Sequence, residues 1–276
     1  MTEVQPDALE LLVAQVLEST KYRHIAPDLI WRIGRGELAM RRNVPLKEAV
    51  KETKNKLHQV AGAYLDRRTP YAEWLTRLRA AAQKRDGSSS EALRELCWEI
   101  MSSHASTRER LPSIENFYTV CLERVQPVRS VLDIACGLNP LSLPWMPLAP
   151  DAPYYACDLY GDMMAFVGEF LDAAGRAGSA TAQDVVSSPP TQNVHVALIL
   201  KALPPLEQTG KTAGIDLLRA VNAEHMLVSF PTRTLGGRSK QMGAHYEARF
   251  RAQTAAEGWT LERHEFANEL CFLVSK

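Results

Sequence analysis

Long hydrophobic runs are missing from this 276-residue chain: none approaches the roughly 18 consecutive apolar residues of a membrane-crossing helix. The opening MTEVQPDALELL has no basic segment leading into an apolar block, so no secretory leader is expected and the expected compartment is the cytoplasm. Cysteine is sparse. Cys97, Cys121, Cys136, Cys157 and Cys271 are odd in number and never form C-x-x-C, which argues against a disulfide framework and a zinc knuckle; no metal is expected. They read as reduced, mostly buried small residues, with a reactive role left open for Cys136 beside a glycine loop. The dinucleotide fingerprint G-x-G-x-x-G is absent, which disfavours NAD and FAD. Net charge is absent too, since 32 Lys and Arg balance 32 Asp and Glu.

That balance hides an asymmetry. From Lys21 to Arg85 sixteen Lys and Arg stand against six Asp and Glu, a segment charge of +10, which leaves 16 against 26, or −10, for the rest. Either a polyanion-binding module is joined to a more acidic catalytic domain, because cations displacing counterions supply sequence-independent nucleic-acid affinity, or a solvated helical surface is simply basic. The 46% hydrophobic composition suffices for one large domain and a smaller one. The first part reads as helical. Leu9, Leu12, Val13 and Val16 keep i, i+3, i+4, i+7 spacing; Pro27 and Pro45 suit the first turns of two further helices; 71–83 and the stretch from Glu91 past Met101 continue the pattern.

After Pro127 strands and helices alternate, the pattern of an α/β fold. Strands are expected at 130–135, 154–157, 180–183, 194–200 and 226–230, helices at 161–174 and 215–221, and a closing hairpin at 261–266 and 270–274. The run VLDIACGLNP, 131–140, is the most telling: an apolar strand carrying Asp133 runs into Gly137 and a turn-forming Asn139-Pro140. A glycine there lets backbone approach a ligand, and ligands of doubly wound folds sit at the carboxyl ends of the strands. The acid-before-glycine form resembles the first motif of Rossmann-like S-adenosylmethionine-dependent methyltransferases; a plain strand-to-helix turn is the alternative. The second and third strands end in Asp158 and Asp184. The first suits ribose hydroxyls and the second an adenine amino group, with helix capping the competing role for each.

The segments KYRHIAP, KLHQVAGAYL, HASTRERL, VLDIACGLNPL, Cys157-Asp158, QDV from Gln183, LKALPPLE and VSFPTRTLGGR resemble the aminoglycoside-resistance family of 16S rRNA methyltransferases that modify N7 of guanine 1405. They span Lys21 to Arg238. The resemblance implies an amino-terminal helical rRNA-docking domain, 1–103, and a Rossmann-like catalytic domain, 104–276, with S-adenosylmethionine as methyl donor. It implies 16S rRNA within the 30S subunit as partner; a monomer is expected. Carried over residue by residue, it places Tyr64, His104, Ala105, Ser106, Arg110, Ala135, Gly137, Asp158, Asp184, Val185, Leu200 and Gln208 at the cofactor. Arg110 would hold the methionine carboxylate, for which a planar guanidinium fork is suited. An ordinary helix-surface salt bridge is the other reading of Arg110, and a structural histidine that of His104. Lys54, Lys56, Lys201, Arg233, Arg238 and Lys240 are the expected contacts to rRNA.

Guanine N7 carries a free lone pair, so methyl transfer to it needs no general base, in keeping with a sequence that offers no evident Ser/His/Asp set or carboxylate pair. The fourth strand is followed by LKALPP, without the N-P-P-Y or D-P-P-Y of many amino-directed methyltransferases. No cysteine follows a proline, which removes the usual nucleophile of C5 methylation. Two alternatives stay open: methylation of another decoding-site nucleotide, such as N1 of adenine 1408, and a non-catalytic rRNA-assembly factor that keeps the fold.

Overall fold

The structure, a computed structural model, describes residues 6–40, 45–65, 69–82, 89–232 and 241–276. Three amino-terminal helices, α1 (Pro6–Leu17), α2 (Pro27–Met40) and α3 (Leu46–Leu65), close around their own core. Leu9, Leu12, Val13 and Val16 meet Leu29, Ile30 and Ile33 and, from α3, Ala49, Val50 and Leu57. The expected helical spacings are therefore the packed faces. Two further helices, α4 (Tyr71–Ala82) and α5 (Ser89–Ser102), do not join this group. Their buried residues, among them Trp74, Leu78, Cys97 and Met101, belong to the core beneath the sheet. Packing thus divides the chain after α3, where the sequence suggested a boundary at 103; α4 and α5 are apolar toward the sheet and could not stay with α1–α3 without exposing that surface.

Downstream come two short helices, α6 (Ala105–Arg110) and α7 (Ile114–Cys121), and then β1 (Val131–Ile134), β2 (Tyr154–Asp158), α8 (Gly161–Ala173) and β3 (Gly178–Ala182). The rest is β4 (Val194–Leu200), α9 (Leu203–Glu207), α10 (Ala213–Ala220), β5 (Ala223–Pro231), α11 (Gln241–Thr254), β6 (Thr260–Glu265) and β7 (Glu269–Ser275). The expected strands all form, to within a few residues. Helices α7, α9 and α11 had no counterpart in the sequence reading.

The seven strands run in the order β3-β2-β1-β4-β5-β7-β6, parallel through β5, with β7 antiparallel to both β5 and β6. Burial explains the continuous apolar runs. All seven residues of β4 are buried, as a strand covered on both faces requires. Alternate side chains part to opposite faces: Val131, Val196, Leu198 and Leu227 meet α4, α5, α7 and α8, whereas Leu132, Ile134, Ala197 and Ile199 meet α10 and Phe250 of α11. The order in which strands are added reverses between β1 and β4, so their carboxyl ends flank the topological switch point where such sheets bind ligands. All five cysteines are free and buried. Burial, aided by Asp133 and Asp158, pushes the Cys136 thiol well above its ordinary range, so the reactive role left open for it is not supported.

Candidate active site

At the switch point the backbone is strained on both sides. Ala135, just past β1, has φ 52°, and Lys201, just past β4, has φ 57°, left-handed values that non-glycine residues adopt at a cost. Gly137 has φ 52° as well, and a Cβ there would lie 2.8 Å from His104 Cε1. Glycine is favoured twice over, by the torsion, which Ala135 adopts only at a cost, and by the imidazole that packs against it. The turn is held from β2: Asp158 Oδ2 accepts the Gly137 N–H (2.8 Å), and its Oδ1 accepts the N–H of Leu159 (2.6 Å). Burial raises the Asp158 carboxyl above its ordinary range, and these two N–H groups work against that rise. Each oxygen keeps a further lone pair for hydroxyl donors, which fits the diol of a ribose.

Asn139 is not a plain turn residue. It is buried, opens a 3-10 helix from Asn139 to Trp145, and joins two halves of an internal polar network. Its Nδ2 donates to Asp133 Oδ2 (2.8 Å), which also accepts from Tyr154 Oη (2.7 Å); its Oδ1 accepts from Arg110 Nη1 and Tyr118 Oη, each at 2.7 Å. Arg110 in turn sends Nε and Nη2 to Glu269 (3.1 and 2.7 Å) and lies 4.7 Å above the Phe117 ring. Burial works against the guanidinium charge, and Glu269, with further help from neighbouring Tyr118 and Cys271, turns the balance in its favour. Burial would likewise raise Glu269, yet Arg110 and then Lys201 hold it below the usual carboxylate range. Asp133, with one oxygen unpartnered, is pushed up to about 6 by burial.

These contacts revise several expectations. Arg110 is neither an exposed surface pair nor a free carboxylate clamp: it is 2% exposed, and the carboxylate it holds is Glu269. Lys201 does not face solvent. Its Nζ reaches Glu109 (2.7 Å), the Ser106 carbonyl (3.2 Å) and, more distantly, Glu269 (3.8 Å), so it ties α6 to the end of β4 instead of presenting a cation to phosphate. Lys56 also has an internal task, a 2.5 Å ion pair with buried Glu37. The Asp184 carboxylate accepts from Arg32 Nε (2.6 Å), Arg32 Nη2 (3.2 Å), Ser187 Oγ (2.8 Å) and the Val186 N–H (3.3 Å). Those four donors fill the four lone-pair sites of a carboxylate, so its side chain is not available to an adenine amino group.

His104, Ala105, Ser106, Ala135, Gly137, Asp158 and Leu200 come together around the carboxyl ends of β1, β2 and β4. Val185 is buried in the loop after β3, beside Asp184, and the Gln183 N–H donates to the Asp158 carbonyl (2.8 Å). Gln208 is exposed at the end of α9, and Lys54 is half-buried on α3. Arg233, Arg238, Lys240 and the side chain of Tyr64 lie outside the described residues. Sequence reasoning missed Glu269, Asn139, Tyr118, Glu109, Ser229 and Arg32, whose partners are distant in the chain.

A cavity of about 660 Å³ lies at the other end of the sheet, lined in part by Arg129, His195, Glu224 and His225. The last three place ligand-type atoms within 4.8 Å of one another. Yet His195 Nδ1 accepts the Arg129 N–H (3.1 Å), which puts the ring proton on Nε2, and the Arg129 guanidinium holds both Glu224 oxygens (2.8 and 2.9 Å). The cluster is satisfied by hydrogen bonds, and its place at the amino ends of the strands is the wrong one for this fold's ligand.

The parallel sheet, the glycine turn at its switch point and the acid ending β2 define a Rossmann-like S-adenosylmethionine-dependent methyltransferase. The family described as ribosomal RNA methyltransferase (FmrO) matches residues 18–273, and the chain belongs to that family. It is 39% identical, over 99% of its length and 95% of the relative's, to a 16S rRNA (guanine(1405)-N(7))-methyltransferase of Frankia casuarinae. An enzyme of the same description from Micromonospora echinospora is 35% identical, covering 100% of this chain and 99% of its own. Among solved structures, the 16S rRNA methylase RmtB superposes with a TM-score of 0.76 at 30% identity over the whole of both chains. The 16S rRNA methyltransferase RmtF, solved with S-adenosyl-L-homocysteine, gives 0.77 at 28% identity over 99% of each.

Proposed function

We propose that this protein transfers the methyl group of S-adenosylmethionine to N7 of guanine 1405 in 16S rRNA of the 30S subunit, and thereby protects the ribosome from aminoglycosides. The observation that carries the reading is the turn at Gly137, gripped by Asp158 at the switch point and roofed by His104 of the HASTRER segment. When bound, the cofactor would supply an electrophilic methyl group to the N7 lone pair, with neutral S-adenosylhomocysteine as the leaving group. The chain's own residues bind and align. Asp158 meets the ribose, Gly137 and Ala135 line the floor, and His104, Ala105 and Ser106 border the methionine end. Val185 packs against the adenine, and Leu200 completes the pocket. Arg110 acts beneath the turn, holding Asn139. No residue need move a proton, because N7 has none; holding nucleophile and methyl in line is the main contribution, worth up to roughly 7–11 kcal/mol in the best intramolecular models. A stacked guanine must first leave its stack, at about a few kcal/mol. The exposed Lys47 and Lys51 on α3 lie on the basic amino-terminal unit that would meet rRNA phosphates. A monomer acting in the cytoplasm fits this reading; no described helix is long and apolar enough to cross a membrane.

The test is to incubate purified protein with methyl-labelled S-adenosylmethionine and 30S subunits, then map the modified nucleotide by borohydride and aniline cleavage with reverse transcription. Strand scission at guanine 1405 is expected. Absence of label with folded protein refutes the reading, and label at adenine 1408 replaces it with the other decoding-site reaction.

A further inference from the structure

The loop after β3 is held by the helical unit as well as by the sheet, where Val185 is buried with Leu132 and Ile134. Asp28 and Arg32 stand one turn apart on α2 and therefore share a face. Asp28 Oδ2 accepts the backbone N–H of Asp184 (2.8 Å), while its Oδ1 accepts the Leu29 N–H (3.0 Å). Arg32 takes both oxygens of the Asp184 side chain, its own side chain 28% exposed and that of Asp184 3%. One helix face thus grips a single residue by main chain and side chain together. Asp184 passes the constraint on, since its carbonyl accepts the N–H groups of Ser187 (3.2 Å) and Ser188 (2.9 Å), closing a tight turn over 184–188. The neighbouring loop is sewn to the same unit: the Gly161 N–H donates to the His24 carbonyl (2.6 Å), and the Ala26 N–H donates to the Leu159 carbonyl (2.8 Å).

We propose that Arg32, with Asp28, is a positioning residue for the nucleoside end of the cofactor: the helical unit, through Asp184, sets the loop against which the adenine packs. Asp184 then serves as a clasp. This rests on the reading of the β1–β3 strand ends as the cofactor site. A bidentate fork is suited to the task because it fixes orientation as well as distance, which an ammonium cannot do.

The test uses the full chain, with S-adenosylhomocysteine binding measured by calorimetry and methyl transfer to 30S subunits followed at varied cofactor. Arg32→Ala is expected to weaken binding and raise the KM for S-adenosylmethionine roughly tenfold, about 1.4 kcal/mol, with kcat held within about twofold and the KM for 30S unchanged. Arg32→Lys, which keeps charge but loses the fork, should recover part of the affinity. The double variant with Asp184→Ala should be no weaker than the weaker single variant if the two act as one unit. Wild-type affinity in Arg32→Ala, a parallel loss of kcat, or additive effects in the double variant overturn the proposal. If Arg32→Ala fails to fold, Arg32→Lys and Asp28→Asn, compared at equal apo melting temperature, decide by the same KM-against-kcat split. Failure of the wild-type protein to bind S-adenosylhomocysteine would instead refute the underlying site.

Discussion

Replacing Glu269 with alanine should expose how much of the fold hangs on the network under the glycine turn. Glu269 is 2% exposed and accepts from Arg110 twice and from Ser229 Oγ at 2.5 Å, with Lys201 Nζ at 3.8 Å. Alanine removes every one of these contacts and leaves a full guanidinium charge in the core. Deleting one partner of a buried pair costs about 3–5 kcal/mol, a large part of the roughly 5–15 kcal/mol that keeps most domains folded. At about 2–4 °C per kcal/mol for chains slightly shorter than this one, the melting temperature should fall by roughly 6–20 °C. Glu269→Gln keeps an acceptor without the charge and should lose about half as much. Calorimetry or circular dichroism provides the measurement. The pH dependence adds a sign. Because Glu269 is held below its ordinary value, its contribution is complete above the unfolded value and is lost as pH falls through the lower folded one. The gap between wild type and Glu269→Ala should therefore narrow in acid. A loss under about 2 °C at neutral pH, or a gap that widens in acid, refutes Glu269 as the counter-ion of Arg110.

Other perturbations carry opposite signs or separate readouts. Asp133 is raised to about 6 from 3.8, so the folded state holds that proton more tightly and stability falls as pH rises through this interval. Asp133→Asn abolishes the term, and urea unfolding should favour the variant by roughly 1–2 kcal/mol more at pH 8 than at pH 5; an unchanged difference contradicts a buried, ionising carboxyl. Gly137→Ala imposes a left-handed alanine, at about 1–2 kcal/mol, and drives a methyl into His104; S-adenosylhomocysteine binding should drop at least tenfold, and near-normal affinity would mean that the turn is not the cofactor floor. Reversing Lys47 and Lys51 should weaken 30S binding and leave cofactor affinity intact. Lys56→Glu should instead lower the melting temperature, because it sets a like charge on buried Glu37; 30S loss without destabilisation would restore the rRNA role for Lys56.

The sheet was legible because its strands announce themselves, β4 as an unbroken apolar run and β2 as a strand closed by an acid. The helical spacing of Leu9, Leu12, Val13 and Val16 was equally plain, since one packed face is all that periodicity encodes. What periodicity does not encode is which charge neutralises which. Lys201 and Lys56 read as free cations, yet each meets an acid far along the chain, Glu109 and Glu37. Asp184 read as a ligand to adenine because its strand-end position is right, while Arg32, 152 residues away, had already claimed the carboxylate. Asn139 and Glu269 gave no signal at all, one resembling an ordinary turn and the other an ordinary surface acid. Helix α7 is only eight residues long, too short for a repeating apolar face to stand out.

The hydrogen-bonded seam between α2 and the loops after β2 and β3 bears on how this protein can be recombined. A graft of the helical unit from a relative, joined at the packing boundary after α3, would cut Arg32 from Asp184, Asp28 from the Asp184 amide and His24 from Gly161. Exchangeable pieces are therefore discontinuous in sequence: residues 6–65 must travel with 158–161 and 184–188. A chimaera that respects only the linear order would take its helical unit from one parent and the loops after β2 and β3 from the other, with the seam between them unmade.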